Sequence, residues 1–516
     1  MTSTPAHRCP RSRPRRVTSV LAAAAAALLC VLAALPAPAA RADTPPTPGE
    51  LRLVDYFPAS AGWGQMWWTW NPVQMNADFG RIAGLNANAV RIVLSASAFG
   101  FPRPAPAMLG HLSQTLALAA SHGLRVELTL FNEWHDYDAV GESQRWAGEV
   151  LAPFRGDPRI TYIDLHNELP VATGNSALAW AQAMVPYVQR IDGGIPVTVS
   201  TSISSGVAPL ETLVRGLAAT PPNLYDVHYY GNAADAYATL AQARALAAGT
   251  PLFVGETGFA TDSSYGWARG LQPSRASLEA YQEYYFRVVE SAARALELPA
   301  AAPWILYDMP GQGGTQWGFH MGILRADGTP KPAATTLASA FAGAPISDAF
   351  NNGFEQSAGR PALPMIWRRW LSPLARFSID RKTFHSGSAS ARIDHAAGNH
   401  TTGCPAYFTP PVSAVVPGVG YTASAWVRGH AAGGISRVVL SWSDADGHYV
   451  RSSSSPALPA GERGWTRLSV TASAPAGAAA VEINLQVCEN PGTTWFDDVG
   501  LSVAGRTAAL VSRPAG

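Results

Sequence analysis

From residue 51 to about 343, short apolar runs alternate with longer stretches whose apolar residues return every three or four positions. The short runs predict strands at Leu51–Tyr56, Ala89–Leu94, Arg125–Leu130, Ile160–Leu165, Pro196–Ser200, Tyr225–Tyr229, Leu252–Gly255 and Trp304–Tyr307. Between them, Met108–His122, Ala177–Ile191, Ala234–Ala248 and Ser274–Leu296 carry the helical period. Eight strands, each followed by a helical stretch, predict an α/β domain of the (β/α)8 TIM barrel type rather than an open doubly wound sheet. No Gly-rich phosphate loop opens any of the helices, which argues against nucleotide binding. After Ala344 the helical period disappears. Short alternating runs follow at Ser388–Ile393, Tyr421–Val427, Arg437–Trp442, Thr466–Thr471, Ala480–Val487 and Thr494–Val499, separated by Gly, Pro and Ser. This pattern predicts an all-β antiparallel sandwich.

The N-terminus reads as a targeting segment. Arg11, Arg13, Arg15 and Arg16 precede the Ala/Leu run Val20–Leu35, and Ala40-Arg41-Ala42 offers a small-x-small cleavage site. Residues 1–42 are therefore expected to be a signal peptide, by the general or the twin-arginine route, with a retained anchor as the alternative. A Pro-rich lead-in (43–50), the barrel (51–343), the sandwich (346–506) and a tail (507–516) would follow in a secreted, extracellular protein. Cleavage leaves Cys404 and Cys488, an even pair that reads as a disulfide in an exported chain. The formal charge of +1 gives no electrostatic support for nucleic acid or, after cleavage, for a membrane surface. A monomer is expected.

In a barrel the chemistry sits where strands end, at the C-terminal face. The fourth predicted strand ends in Asn167-Glu168 and the seventh in Glu256, so two carboxylates from distant stretches face one mouth. A pair across one pocket is what glycosidic cleavage needs, one acid protonated to release the leaving oxygen and one ionised to attack the sugar carbon. Four ordered segments then resemble glycoside hydrolase family 5, the cellulase and mannanase family of retaining glycosidases. These are Arg91 closing Ala87-Asn88-Ala89-Val90-Arg91, the segment Leu165-His166-Asn167-Glu168-Leu169-Pro170, His228-Tyr229-Tyr230, and Val254-Gly255-Glu256-Thr257-Gly258. The resemblance implies that Glu168 is the general acid/base and Glu256 the nucleophile. It also implies that Arg91 and Tyr230 keep Glu256 ionised, that Asn167 binds the sugar 2-hydroxyl, and that His228 belongs to the site. A drier, less charged setting is expected to keep Glu168 protonated.

Trp63, Trp67, Trp68 and Trp70 follow the first strand, and Trp134 and Trp317 lie in other mouth loops, where indoles can stack on sugar rings. Tyr307 sits where the family often places an aromatic beside the cleaved sugar, and the extra acids Glu133 and Asp136 are taken as loop residues. The C-terminal segments Asn352-Gly353-Phe354-Glu355, Tyr421-Thr422-Ala423-Ser424-Ala425-Trp426-Val427 and Trp495-Phe496-Asp497-Asp498-Val499 resemble carbohydrate-binding modules of the family 4 and 9 type, which implies a jelly-roll sandwich. That resemblance implies a structural calcium between Glu355 and Asp498. Trp367, Trp370, Trp442 and Tyr449 are candidate sugar platforms, while Trp426 and Trp495 read as core.

Together these features predict a secreted retaining glycosidase acting on a β-linked polysaccharide in endo-glucanase fashion, with no cofactor for catalysis. A β-mannanase, an exo-acting or debranching enzyme of the same fold, and a non-catalytic polysaccharide-binding protein are the alternatives.

Overall fold

The computed structural model describes residues 50–503 apart from 63, 172–175, 248, 265–273, 310–315, 345, 347–350, 359–362, 365–366, 371–372, 397–405, 411–412, 432–433 and 445. The expected signal peptide, most of the lead-in, Trp63, Cys404 and the tail lie outside the described residues, as does the side chain of Trp317. Among the described residues no helix is long and apolar enough to cross a membrane.

The barrel strands are β1 (Leu53–Asp55), β2 (Ala89–Val93), β3 (Arg125–Phe131), β4 (Ile160–His166), β5 (Val197–Thr198), β6 (Ser200–Ser202), β7 (Tyr225–Tyr229) and β8 (Leu252–Thr257). They pair in parallel as β1-β2-β3-β4-β5 and β6-β7-β8, so the fifth predicted strand is broken at Val199 into two short pieces. The eighth barrel strand is a backbone-bonded segment rather than a regular strand. Thr257 N–H donates to Ala302, Trp304 N–H to Thr257, and Leu306 N–H to Asp55, which closes the ring between β8 and β1.

The barrel strands alternate in an unusual sense. Their outward residues, such as Val54, Tyr56, Val90, Ile92, Val126, Leu128, Leu130, Ile163 and Leu165, pack into the main apolar core. Their inward residues include Asp55, Arg91, Glu127, Thr129, Asp164 and Asp226, all buried. Below this polar layer a small separate cluster of Leu51, Leu53, Ala89, Tyr162, Leu224, Phe253 and Ala302 forms an apolar floor. The interior is thus filled by side chains in layers, with the polar layer between the floor and the mouth.

The C-terminal part is a sandwich of two antiparallel sheets. One runs Arg368–Trp370, Ala406–Thr409, Ala480–Cys488, Ile435–Ser443, Tyr449–Ser454; the other runs Ala375–Asp380, Ser390–His395, Gly492–Val503, Gly420–Ala431, Gly461–Ser473. Phe354, Phe377, Phe408, Trp442, Leu485 and Phe496 fill the space between them. Barrel and sandwich touch: the rings of Tyr237 and Tyr421 meet edge to face at 6.3 Å.

Candidate active site

The two glutamates come together. One oxygen each of Glu168 and Glu256 and a ring nitrogen of His228 all lie within 4.8 Å of one another. Glu168 follows β4 with a left-handed backbone, φ 46°, a conformation that costs a non-glycine residue energy. Ser200 on β6 holds that turn, its Oγ accepting the Glu168 N–H at 2.9 Å while its carbonyl accepts the Leu169 N–H at 2.9 Å.

Glu256 is aimed by a register shift. Val227 pairs with Val254, but His228 pairs with Glu256, so Gly255 is an extra residue in β8. That bulge turns Glu256 inward instead of toward the helices. The buried carboxylate is then gripped from two sides: Arg91 Nη1 contacts Oε1, and Tyr230 Oη donates to Oε2 at 2.6 Å. Burial, followed by the Glu256 charge, pushes the Tyr230 hydroxyl well up, so it stays a donor.

Arg91 organises the polar layer. Its Nε lies 2.9 Å from Glu127 Oε2, its Nη2 donates to Asp164 at 3.0 Å and to Asn167 Oδ1 at 2.9 Å, and its Nη1 lies 3.4 Å from Asp55. The bond to Asn167 Oδ1 fixes that side chain and directs its NH2 away from the guanidinium. One guanidinium cannot neutralise five buried carboxylates. Burial accordingly pushes Asp55 and Asp226 well up, and Glu127 up to about 8, against the pull of Arg91.

The setting of Glu168 departs from expectation. Burial is the largest influence and pushes its pKa up, but the His228 hydrogen bond, the charges of His228 and Arg91 and the Ser202 hydroxyl together outweigh it, and the result is a lowered pKa. His228 Nδ1 sits 3.2 Å from Glu168 Oε1 and 3.2 Å from Glu256 Oε2, so one N–H faces both acids. The acid opens to solvent rather than into a dry pocket, its side chain being 40% exposed.

Other expected residues fare differently. Tyr307 does not face the mouth: it is buried, and its hydroxyl donates to Asp78 at 2.5 Å beside Tyr56, which bonds the same carboxylate. Its phase on the closing segment points it toward helix Pro72–Gly84. The half-exposed aromatic of that segment is Trp304, which lies edge to face with Phe57 at 5.8 Å. Trp134 is half-buried, packed on Phe101 and Phe131, with its carbonyl 3.2 Å from His166 Nε2. Trp67 is core, its Nε1 bonded to the Val93 carbonyl, and Trp70 stacks on His111, which leaves Trp68 as the exposed indole of that group among the described residues.

The sandwich reverses several expectations. Trp367 and Trp442 are buried core residues, because their strand phase points inward. Trp426 and Trp495 lie half-buried on the surface of a sheet, stacked on His385 and flanked by Arg392 and Arg428. Trp370 and Tyr449 are exposed as expected. Trp370 also stacks nearly parallel on Tyr407, ring centroids 6.0 Å apart, and Trp370, Tyr407, Gln486 and Arg437 stand in register across four strands.

The expected calcium pair fits poorly as named. Both oxygens of Asp498 are engaged, by His385 Nδ1 at 2.6 Å and Ser386 Oγ at 2.6 Å. Glu355 and the neighbouring Asp497 are engaged too: Ser388 donates to both oxygens of Glu355, and Asp497 accepts the His385, Ser386 and Asp498 N–H groups while burial pushes it up to about 6. Cys488 ends the strand Ala480–Cys488, and its expected partner Cys404 lies outside the described residues.

The sequence carried one signal for the missed residues. Asp55, Glu127, Asp164 and Asp226 each interrupt an apolar strand at alternating spacing, marking a polar inner face.

A parallel barrel with two opposed glutamates at its mouth, one held by an arginine and a tyrosine, defines a glycoside hydrolase of the retaining class. Residues 53–292 match the model of one family, Cellulase (glycosyl hydrolase family 5). The match covers just under half of the chain and gives the barrel a family 5 domain over those residues, and the protein is a glycoside hydrolase. No curated protein matches the chain. Among solved structures, GH5_18 from Streptomyces cattleya in complex with GlcNAc is similar at 17% identity, covering 56% of this chain and 79% of that one, TM-score 0.47. A GH5_18 from Bifidobacterium longum subsp. infantis is similar at 17% identity, over 59% of this chain and 81% of that one, TM-score 0.48. The exo-beta-1,4-mannosidase Op5Man5 from Opitutaceae bacterium strain TAV5 is similar at 20% identity, over 56% of this chain and 59% of that one, TM-score 0.46. Enzymes of family 5 need no cofactor for catalysis.

Proposed function

We propose that this protein is a secreted enzyme that cleaves a β-linked polysaccharide, through a covalent glycosyl-enzyme on Glu256 with Glu168 as acid and then base. The observation that carries this reading is the pairing of a clamped, buried Glu256 with a solvent-facing Glu168, one oxygen of each lying no more than 4.8 Å apart, which is compatible with the carboxyl separation of about 5–5.5 Å that double displacement uses. Arg91 and Tyr230 stabilise the negative charge of the attacking carboxylate. Because Glu168 is drawn down in the open site, a bound sugar must cover it and raise its pKa before it can protonate the leaving oxygen. The leader at 1–42, the division between barrel and sandwich after residue 343, and a Cys404–Cys488 bridge belong to the same reading.

The sandwich would hold the polymer. The Trp370–Tyr407 stack offers flat apolar rings beside Gln486 and Arg437, the pairing of stacking face and hydrogen-bonding groups that suits a sugar. A structural calcium at Glu355 and Asp498 would have to displace the His385 and Ser386 bonds to Asp498, and EGTA should then lower the melting temperature of the intact chain.

Reducing-end release from soluble glucans, mannans, xylans and galactans by parent and variants tests the catalytic assignment. Glu256→Ala should lose at least about 1,000-fold in kcat and be partly rescued by azide, which attacks from the vacated face. A Glu256→Ala protein hydrolysing at the parental rate would show that another group is the nucleophile. Equal background release by the parent and Glu168→Gln would favour a binding protein.

A further inference from the structure

Asp226 lies one pleat below His228 on β7, facing inward, and none of the four family-like segments includes it. Its Oδ1 accepts the N–H of the bulged Gly255 at 3.0 Å. A Cβ built on Gly255 would lie 2.1 Å from that same oxygen, so the carboxyl group occupies the space a side chain would need. The bulge and the acid are therefore one device. In regular register, with no bulge, Gly255 would stand opposite His228 and Glu256 would point at the helices.

The same carboxyl group faces His228 from below. His228 Nε2 is 3.8 Å from Asp226 Oδ1, and both Nε2 and Asp226 Oδ2 are buried without a hydrogen-bond partner. On its other edge, His228 presents Nδ1 to Glu168 and Glu256 at 3.2 Å each, so Nδ1 must carry the proton. Nε2 is then the nitrogen turned toward Asp226. The surroundings favour a proton in that gap: burial disfavours the charge most, and Asp164, Glu127 and Glu256 repel a further negative charge on Asp226, against the pull of Arg91 and the Gly255 N–H.

We propose that Asp226 is the positioning residue of this site, pinning the Gly255 bulge that turns Glu256 inward and holding His228 with its Nδ1–H aimed between Glu168 and Glu256. A single carboxyl group thereby sets the geometry of both acids without touching substrate. The inference rests on Glu168 and Glu256 being the reacting pair, and it adds the residue that brings them to register.

The test uses the full-length protein, Asp226→Asn and Asp226→Ala. Each is assayed with 4-nitrophenyl β-D-glucoside, 4-nitrophenyl β-D-mannoside and soluble β-glucan, and each is checked for a cooperative melt. Asparagine keeps an oxygen for the Gly255 N–H but cannot hold the titratable proton, so an intermediate loss of about 10-fold in kcat is expected. Alanine removes both functions, and a loss of about 100-fold in kcat with KM nearly unchanged is expected, the scale set by a nucleophile displaced by about 1 Å. A merely structural role would instead lower the melting point and leave kcat per folded molecule intact, and that result would overturn the proposal. So would an alanine variant within about 3-fold of the parent. In parallel, 15N spectra of imidazole-labelled parent, with His228→Ala to assign the signal, should show the Nδ1-protonated tautomer; an Nε2-protonated neutral ring would refute the arrangement. If the parent turns over none of the three substrates while His228 is Nδ1-protonated, the catalytic reading fails and the positioning geometry stands.

Discussion

One imidazole N–H serving two carboxylates makes His228 the residue on which the acidity of Glu168 turns. Its hydrogen bond is the strongest of the pulls that outweigh burial and hold that acid down. Removing it by His228→Ala should move the alkaline limb of kcat/KM to higher pH, because Glu168 would then keep its proton further up the scale. A limb that stays in place or moves down would show that another group controls Glu168. A second acid, Glu290 in the helix Arg275–Ala295, makes a stability argument away from the chemistry. Burial pushes it up from 4.5 to about 8, against smaller pulls from Arg294 and the Ala301 amide. An acid that binds its proton more tightly when folded contributes its full stability below the unfolded pKa, and that stability is lost as pH rises through the folded one. Urea unfolding of the parent should therefore show stability falling between about pH 4.5 and pH 8, by on the order of a few kcal/mol, and Glu290→Gln should flatten that decline. An unchanged slope in the variant would mean that other groups carry it. The residues legible in advance were those at strand tips, where Arg91, Asn167, Glu168, His228, Tyr230 and Glu256 converge. Tyr307 was misplaced because its inward or outward phase depends on a segment that is not a regular strand.

Strand phase decides more at the level of elements than strand boundaries do. Seven barrel strands fall within a few residues of the apolar runs that predict them, because a parallel strand covered by helices needs a continuous apolar outer face. The break at Val199 and the bulge at Gly255 leave no such trace, since each is a one-residue event. In the sandwich, the strands Arg368–Trp370, Ala375–Asp380, Ala406–Thr409 and Tyr449–Ser454 escaped notice because they are short or carry charged and hydroxyl side chains on an exposed face. The bulge makes its own prediction. Gly255→Ala puts a methyl into the Asp226 carboxyl, so the strand must shift or the acid must move. Activity should fall by about 100-fold or more even where the protein still melts cooperatively, because Glu256 rides on the displaced residue. A crystal structure of that variant with Glu256 unmoved and full activity would remove the bulge from the account.

Across the whole molecule, two surfaces with different chemistry are joined by a packed contact rather than by a free tether, as the Tyr237–Tyr421 pair shows. The barrel mouth is built from charges held in fixed positions, whereas the sandwich face that carries Trp370 is built from an exposed ring, 60% accessible, on a second ring. Losing such a ring removes stacking area but leaves the strand pairing and the core untouched, since Trp370 sits on an edge strand. If the sandwich raises the local concentration of the barrel on its polymer, the benefit exists only where the polymer is large enough to reach both surfaces. Trp370→Ala should therefore weaken retention on an insoluble β-glucan or mannan by roughly 10-fold, a loss of about 1.4 kcal/mol, and slow its hydrolysis, while kcat/KM on a small aryl glycoside stays at the parental value. Tyr407→Ala should reproduce the effect, because the two rings form one platform. Pull-down on washed polymer paired with the small-substrate assay separates the outcomes: equal loss on both substrates would place the fault in folding, and no loss of retention would take polymer binding away from this face.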